Sequence, residues 1–192
     1  DELLKQIVTD TEAKKIPLIQ VSPETGKLLG MFIKMISAKN VLEIGTLTGY
    51  STIWMARALP PEGKVVTLEL TKEHADEALS NYKKAGLDGK IKLILGKAIE
   101  SLDTLAESRF DLVFIDADKE NCVNYFNKVI GMVRPGGLII TDNTLRRGEV
   151  IDANPGPGAQ GIIAYNKLVA NDSRVESLLV PIDDGITLSI VK

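Results

Sequence analysis

Val41-Leu42-Glu43-Ile44-Gly45-Thr46-Leu47-Thr48-Gly49-Tyr50-Ser51 is the stretch on which the fold turns. A short apolar run ends in an acid, passes two glycines and enters a longer mixed segment. That is the pattern of a buried strand turning into a helix. Three further runs end the same way: Val65-Val66-Thr67-Leu68-Glu69, Leu112-Val113-Phe114-Ile115-Asp116 and Leu138-Ile139-Ile140-Thr141-Asp142. Runs this short and rich in Val, Ile and Leu read as strands of a parallel sheet covered on both faces. Ligands of open α/β sheets bind at the carboxyl ends of the strands. Those ends are here lined with carboxylates. They suit a cationic cofactor, a metal ion, or both, and suit a phosphate poorly.

Working outward, helical and strand patterns alternate, the mark of a doubly wound α/β chain. Residues 1–12 read as a helix. Ser22-Pro23 opens a second one, with Ser as N-cap and Pro in the first turn. Strands are predicted at 41–45, 64–70, 91–95, 111–116 and 138–142, and helices at 50–59, 72–86, 98–105 and 120–133. Arg134-Pro135-Gly136-Gly137 reads as a turn, and 143–161 as a long polar loop of the kind that often carries function. A helix near 160–171 and two strands, 174–182 and 186–191, close the chain. Asp184-Gly185 between the last two signals an antiparallel hairpin.

Composition narrows the function. The 192 residues are 44% hydrophobic and 26% charged, enough for one sizeable soluble domain. A net charge of −3 argues against nucleic-acid or anionic-membrane partners. No apolar stretch approaches the roughly 20 residues of a membrane span. The acidic start Asp1-Glu2-Leu3-Leu4-Lys5 does not read as a signal peptide, and the missing Met reads as a trimmed start. A single cysteine, Cys122, excludes an internal disulfide and fits a reducing, cytoplasmic setting. It reads as a packed side chain. His74, the only histidine, reads as a surface residue.

Two pairs of acids carry the chemistry. Gly45 and Gly49 let the first turn approach a ligand closely. G-x-G-x-x-G is absent because Leu47 stands where a glycine is needed, and no Gly-Lys-Ser/Thr follows. Glu69 at the second strand end is placed to accept ribose hydroxyls. A nucleoside cofactor without a phosphate fingerprint points to S-adenosylmethionine (SAM), whose sulfonium suits carboxylates, rather than to NAD. Asp116 and Asp142 end neighbouring strands and would repel one another without a cation. With the Asn143 amide they form a hard oxygen set for Mg²⁺, Mn²⁺ or Ca²⁺. Lys119, three residues beyond Asp116, is read as a general base with a lowered pKa.

LEIGTLTGYS (42–51), VVTLE (65–69), LVFIDADKENC (112–122), RPGGLIITDNTL (134–145) and VPIDDGIT (180–187) together resemble the class I, SAM- and cation-dependent O-methyltransferases of the catechol/caffeoyl-CoA type. The resemblance runs from about residue 16 to the end. It implies a single Rossmann-like domain over 1–192, with 1–24 an N-terminal helical segment. The implied sheet has seven mostly parallel strands, the last antiparallel, with helices on both faces. It implies that Glu43, Gly45, Ser51 and the backbone near Val21 face the methionine part of SAM, with Tyr50 among the cofactor-binding residues. Glu69 and Leu70 would face the ribose, Ala98 the adenine, and Asp116 or Asp118 the amino end. It further implies metal binding by Asp116, Asp142 and Asn143, proton abstraction by Lys119, a small aromatic acceptor and a homodimer. Two departures stand out: Arg146, followed by Arg147, replaces the family's Trp after DNTL, and the N-terminal segment is short. The competing readings are a non-catalytic SAM- or metal-binding module and, less well supported, an NAD-dependent oxidoreductase.

Overall fold

Asp1 and Ser22 show how local chemistry starts the chain. Each caps a helix, the Asp1 side chain accepting from the Leu4 amide at 3.1 Å and Ser22 Oγ from the Thr25 amide at 3.0 Å. These begin α1 (Glu2–Ala13) and α2 (Pro23–Met35) in a computed structural model that describes all 192 residues. The chain forms two compact units, Asp1–Ala98 and Ile99–Lys192.

The first unit continues through β1 (Asn40–Ile44), α3 (Tyr50–Ala58), β2 (Lys64–Glu69), α4 (Lys72–Lys84) and β3 (Ile91–Leu95). β1 pairs with β2, and β2 with β3, all parallel; Glu43 sits opposite Thr67. Val41, Leu42, Ile44 and Val65 are fully buried, as two-sided parallel strands require. At the β1–α3 turn Gly49 has φ +83°, and a Cβ there would lie 2.4 Å from Tyr82 Cε1. Only glycine meets both conditions.

α5 (Ala98–Thr104) leads into the second unit: β4 (Phe110–Ile115), α6 (Cys122–Val129), β5 (Val133–Asp142), α7 (Pro157–Asn171), β6 (Val175–Val180) and β7 (Ile186–Val191). β4 and β5 are parallel neighbours, and β7 runs antiparallel to both β5 and β6. Seven strands form one sheet in the order β3-β2-β1-β4-β5-β7-β6, the mostly parallel arrangement with a reversed last strand. No helix is long and apolar enough to cross a membrane.

Three boundaries differ from expectation. The helix predicted over 120–133 is α6 alone, preceded by a 3-10 turn at Lys119–Asn121. Arg134-Pro135-Gly136-Gly137 is not a turn before the strand but an irregularity inside it. Val133 already pairs with Phe110, and the register slips before Leu138 meets Leu112. Gly/Pro clusters signal a bulge as readily as a turn. The predicted loop 143–161 is partly ordered. Arg146–Ile151 coils as 3-10 turns kinked at Arg147 and Gly148, and Pro157 starts α7 in the first-turn position that tolerates proline.

Candidate active site

In the first unit, the acids at the ends of β1 and β2 are engaged with their own surroundings. Glu43 is fully buried and accepts hydrogen bonds from three hydroxyls: Ser51 and Thr67, at 2.5 and 2.6 Å, and Thr52. The Tyr82 hydroxyl donates to Thr52 Oγ1 at 3.0 Å. Burial, then the Glu43 charge, pushes the Tyr82 phenol well above its ordinary range. Glu43 thereby ties β1 to β2 and to the first turn of α3.

Glu69 shapes the glycine turn. Its Oε2 accepts from the amides of Thr46 (3.2 Å) and Leu47 (2.8 Å), and its Oε1 from Thr71 N (2.8 Å). Leu47 is left-handed at φ +52°, a conformation these bonds hold in place. His74 is not a free surface residue. Its Nδ1 lies 3.5 Å from Glu69 Oε1 and its side chain is 21% exposed. Thr48, unremarked in the sequence, is held by Thr11 Oγ1 of α1 (3.1 Å) and by Asn81 Nδ2 of α4 (3.0 Å). Only the run of threonines at 46, 48 and 52 signalled this network. Gly45, Tyr50, Ser51 and Leu70 join Glu43 and Glu69 at these strand ends, Leu70 being largely exposed. Val21 immediately precedes the Ser22 cap of α2, and Ala98 opens α5.

In the second unit, β4 and β5 place Asp116 and Asp142 on neighbouring strand ends, one residue past the Ile115–Thr141 pair. Asp142 is 5% exposed. Burial, then the Asp116 charge, pushes its carboxyl up to about 7. Asn143 follows in the left-handed region (φ +57°) and its amide N–H donates to Asp142 Oδ1 at 2.8 Å. Lys119 Nζ donates to Asp116 Oδ1 at 2.8 Å, with the lysine side chain 9% exposed. The expected lowering of the Lys119 pKa is corrected. Burial does pull it down, but the charge and hydrogen bond of Asp116 outweigh burial and hold it above its ordinary value.

Asp118 accepts from the Tyr125 hydroxyl and from Asn121 Nδ2, and so fastens the 3-10 turn that carries Lys119. The Cys122 thiol is fully buried and pushed up to about 11 by burial, which leaves it protonated and unreactive at neutral pH. Arg146 meets Glu149 at 3.3 Å, while its Nε is buried without an acceptor. The Arg147 backbone N–H donates to Asp184 at 2.5 Å.

The donor set fits a divalent cation. Burial and the neighbouring Asp116 charge both oppose the Asp142 carboxylate, and a cation would relieve that. Asn143, next in the chain, carries an amide oxygen of the same hard type. Next along, Thr144 Oγ1 is buried and has no hydrogen-bond partner. No group of three or more His, Cys, Asp or Glu side chains is gathered as a metal cluster, so the acids Asp116 and Asp142 stand as a pair.

Comparison with known proteins agrees with this architecture. The O-methyltransferase family model matches residues 1–192, and the chain belongs to that family. It is 40% identical over 201 residues to a catechol O-methyltransferase of Niastella koreensis, covering 100% of this chain and 91% of the relative. It is 37% identical over 199 residues to caffeoyl-CoA O-methyltransferase 5 of Nicotiana tabacum, covering 97% and 83%. The structure of a Bacillus cereus O-methyltransferase in complex with S-adenosylhomocysteine (SAH) superposes with a TM-score of 0.96 at 40% identity, covering 100% of this chain and 91% of that one.

Proposed function

We propose that the protein transfers a methyl group from SAM to one hydroxyl of a vicinal diol on a small aromatic acceptor, with a divalent cation, Mg²⁺ by preference, chelating the diol. The observation that carries this reading is the crowded Asp116–Asp142 pair with Asn143 and the buried Lys119 beside it. Asp116, Asp142 and Asn143 would hold the cation. When bound, it supplies charge that lowers the hydroxyl pKa and fixes the diol's orientation. Lys119 Nζ takes the proton from the hydroxyl. The oxygen then attacks the SAM methyl in line, forming a methyl ether and releasing SAH. Lys119 must be neutral to do this. Once Asp116 shares its charge with a cation, burial is the dominant influence left on the lysine, and burial favours the neutral amine.

Val21, Glu43, Gly45, Tyr50 and Ser51 are assigned to the methionine part of SAM, Glu69 and Leu70 to the ribose, Ala98 to the adenine, and Asp116 or Asp118 to the amino end. The saturated hydrogen bonding of Glu43 supports a fixed wall there rather than a mobile ligand group. The reading takes residues 1–192 as one domain, acting as a cytoplasmic homodimer. Positioning and charge supply the rate, with no covalent intermediate.

The test is methyl transfer from SAM to catechol and caffeate. EDTA should abolish it and Mg²⁺ restore it. Full activity in Asp142→Ala would refute the metal reading.

A further inference from the structure

We infer that α7 is the part that holds the general base and the metal ligands in register, with Gly161 and Asn166 as positioning residues. The inference rests on the reading above for the roles of Lys119, Asp142 and Asn143.

The N-terminal and middle turns of α7 address three separate segments. At Gly161 the 3-10 turn carrying Lys119 packs directly on the helix backbone. A Cβ at 161 would lie 2.4 Å from the Lys119 carbonyl oxygen and 2.7 Å from Glu120 Cα. Those are backbone atoms, so they yield only if the whole turn moves. One helical turn on, the fully buried Tyr165 hydroxyl accepts from Thr141 Oγ1 at 2.8 Å, next to Asp142. Beside it, Asn166 Nδ2 donates to the Thr144 carbonyl at 2.9 Å, next to Asn143, and its Oδ1 faces Thr187 Oγ1 of β7 at 3.4 Å. Positions 161 and 165 share a face of the α-helix, and 166 flanks it about 100° further round.

The physical content is a length standard. Within this unit, Asp116 and Lys119 reach the site from the end of β4 and the turn after it, and Asp142 and Asn143 from the end of β5. Loops alone would let those two approaches drift. A 15-residue helix in contact with both fixes their separation. A glycine at 161 brings the lysine turn as near as the helix backbone allows. Asn166, with one donor and one acceptor engaged, holds the ligand turn from the other side.

The two contacts predict two different defects. Gly161→Ala should push the Lys119 turn outward. It should lower kcat by roughly 100-fold, the scale of a misplacement of about 1 Å, while the acceptor KM and Mn²⁺ affinity stay close to wild type. Asn166→Ala should loosen Asn143 and weaken Mn²⁺ binding by roughly 10-fold, as loss of a supporting contact does. Mn²⁺ affinity is read by electron paramagnetic resonance and calorimetry without turnover, kcat and KM with catechol, and folding by thermal melts. Asn166→Asp, which keeps the acceptor but loses the amide donor, serves as a second variant should Asn166→Ala not fold. It should weaken Mn²⁺ binding likewise. A Gly161→Ala enzyme with near wild-type kcat overturns the inference, as do defects that scale only with lost Tm. If wild type binds no Mn²⁺, the functional reading fails instead, and the two failures are told apart on the wild-type protein.

Discussion

Asp142 sits in surroundings that oppose its own charge. Its folded carboxyl is raised to about 7 from an ordinary 3.8, so between these values the folded state holds more protons than the unfolded one. Stability in the metal-free protein should therefore fall as pH rises from about 4 to about 7, and level off above. Asp142→Asn should remove that part of the slope, which Tm against pH in EDTA, compared with wild type, will show. A persisting difference-free profile would mean that the carboxyl is not strained. Glu43 is also buried, and there three hydroxyls donate to the carboxylate. Thr67→Val should cost about 1.5–3 kcal/mol, the range for a hydrogen bond to a charged group, measured by urea unfolding.

At the scale of elements, the turn from β1 to α3 offers the sharpest test. Gly49→Ala meets both a left-handed backbone and the Tyr82 ring. It should destabilise by about 1–3 kcal/mol and weaken SAH binding by calorimetry. Unchanged SAH affinity would detach the turn from cofactor binding. The strands of the sheet were readable because two-sided burial leaves uninterrupted Val/Ile/Leu runs, and β1, β2 and β4 sit within a residue of expectation. β5 was misjudged at its start, since Pro135 and the paired glycines look alike in a turn and in a bulge. The acids of the site were readable by their place at strand ends. What they touch was not. That Glu69 folds the glycine turn, that Thr11 reaches Thr48, and that α7 meets Lys119 at Gly161 are contacts between distant segments, which periodicity does not encode.

At the scale of the molecule, most of the residues proposed for SAM and SAH lie in the first unit, and all of those proposed for the cation in the second. A ligand present at 100 times its Kd stabilises by about 2.7 kcal/mol. A single cooperative domain should therefore show one unfolding transition, raised by either ligand alone and raised further by both. Two transitions, each responding to one ligand, would instead mark the units as independent folders. Differential scanning calorimetry at neutral pH with SAH, Mg²⁺ or both decides between them.

Asn143 carries a consequence for how such a site is able to change over generations. Its backbone is left-handed, a state that asparagine, aspartate and glycine enter with little strain and branched or bulky residues do not. Glycine has no side-chain oxygen to offer. The exchange left open is asparagine for aspartate, which alters the charge of the site by one unit and its shape hardly at all. A longer amide such as glutamine would enter that state at a cost, as Leu47, Arg146 and Arg147 already do in this chain. The main chain thereby narrows, without closing, the choice of residues at this position.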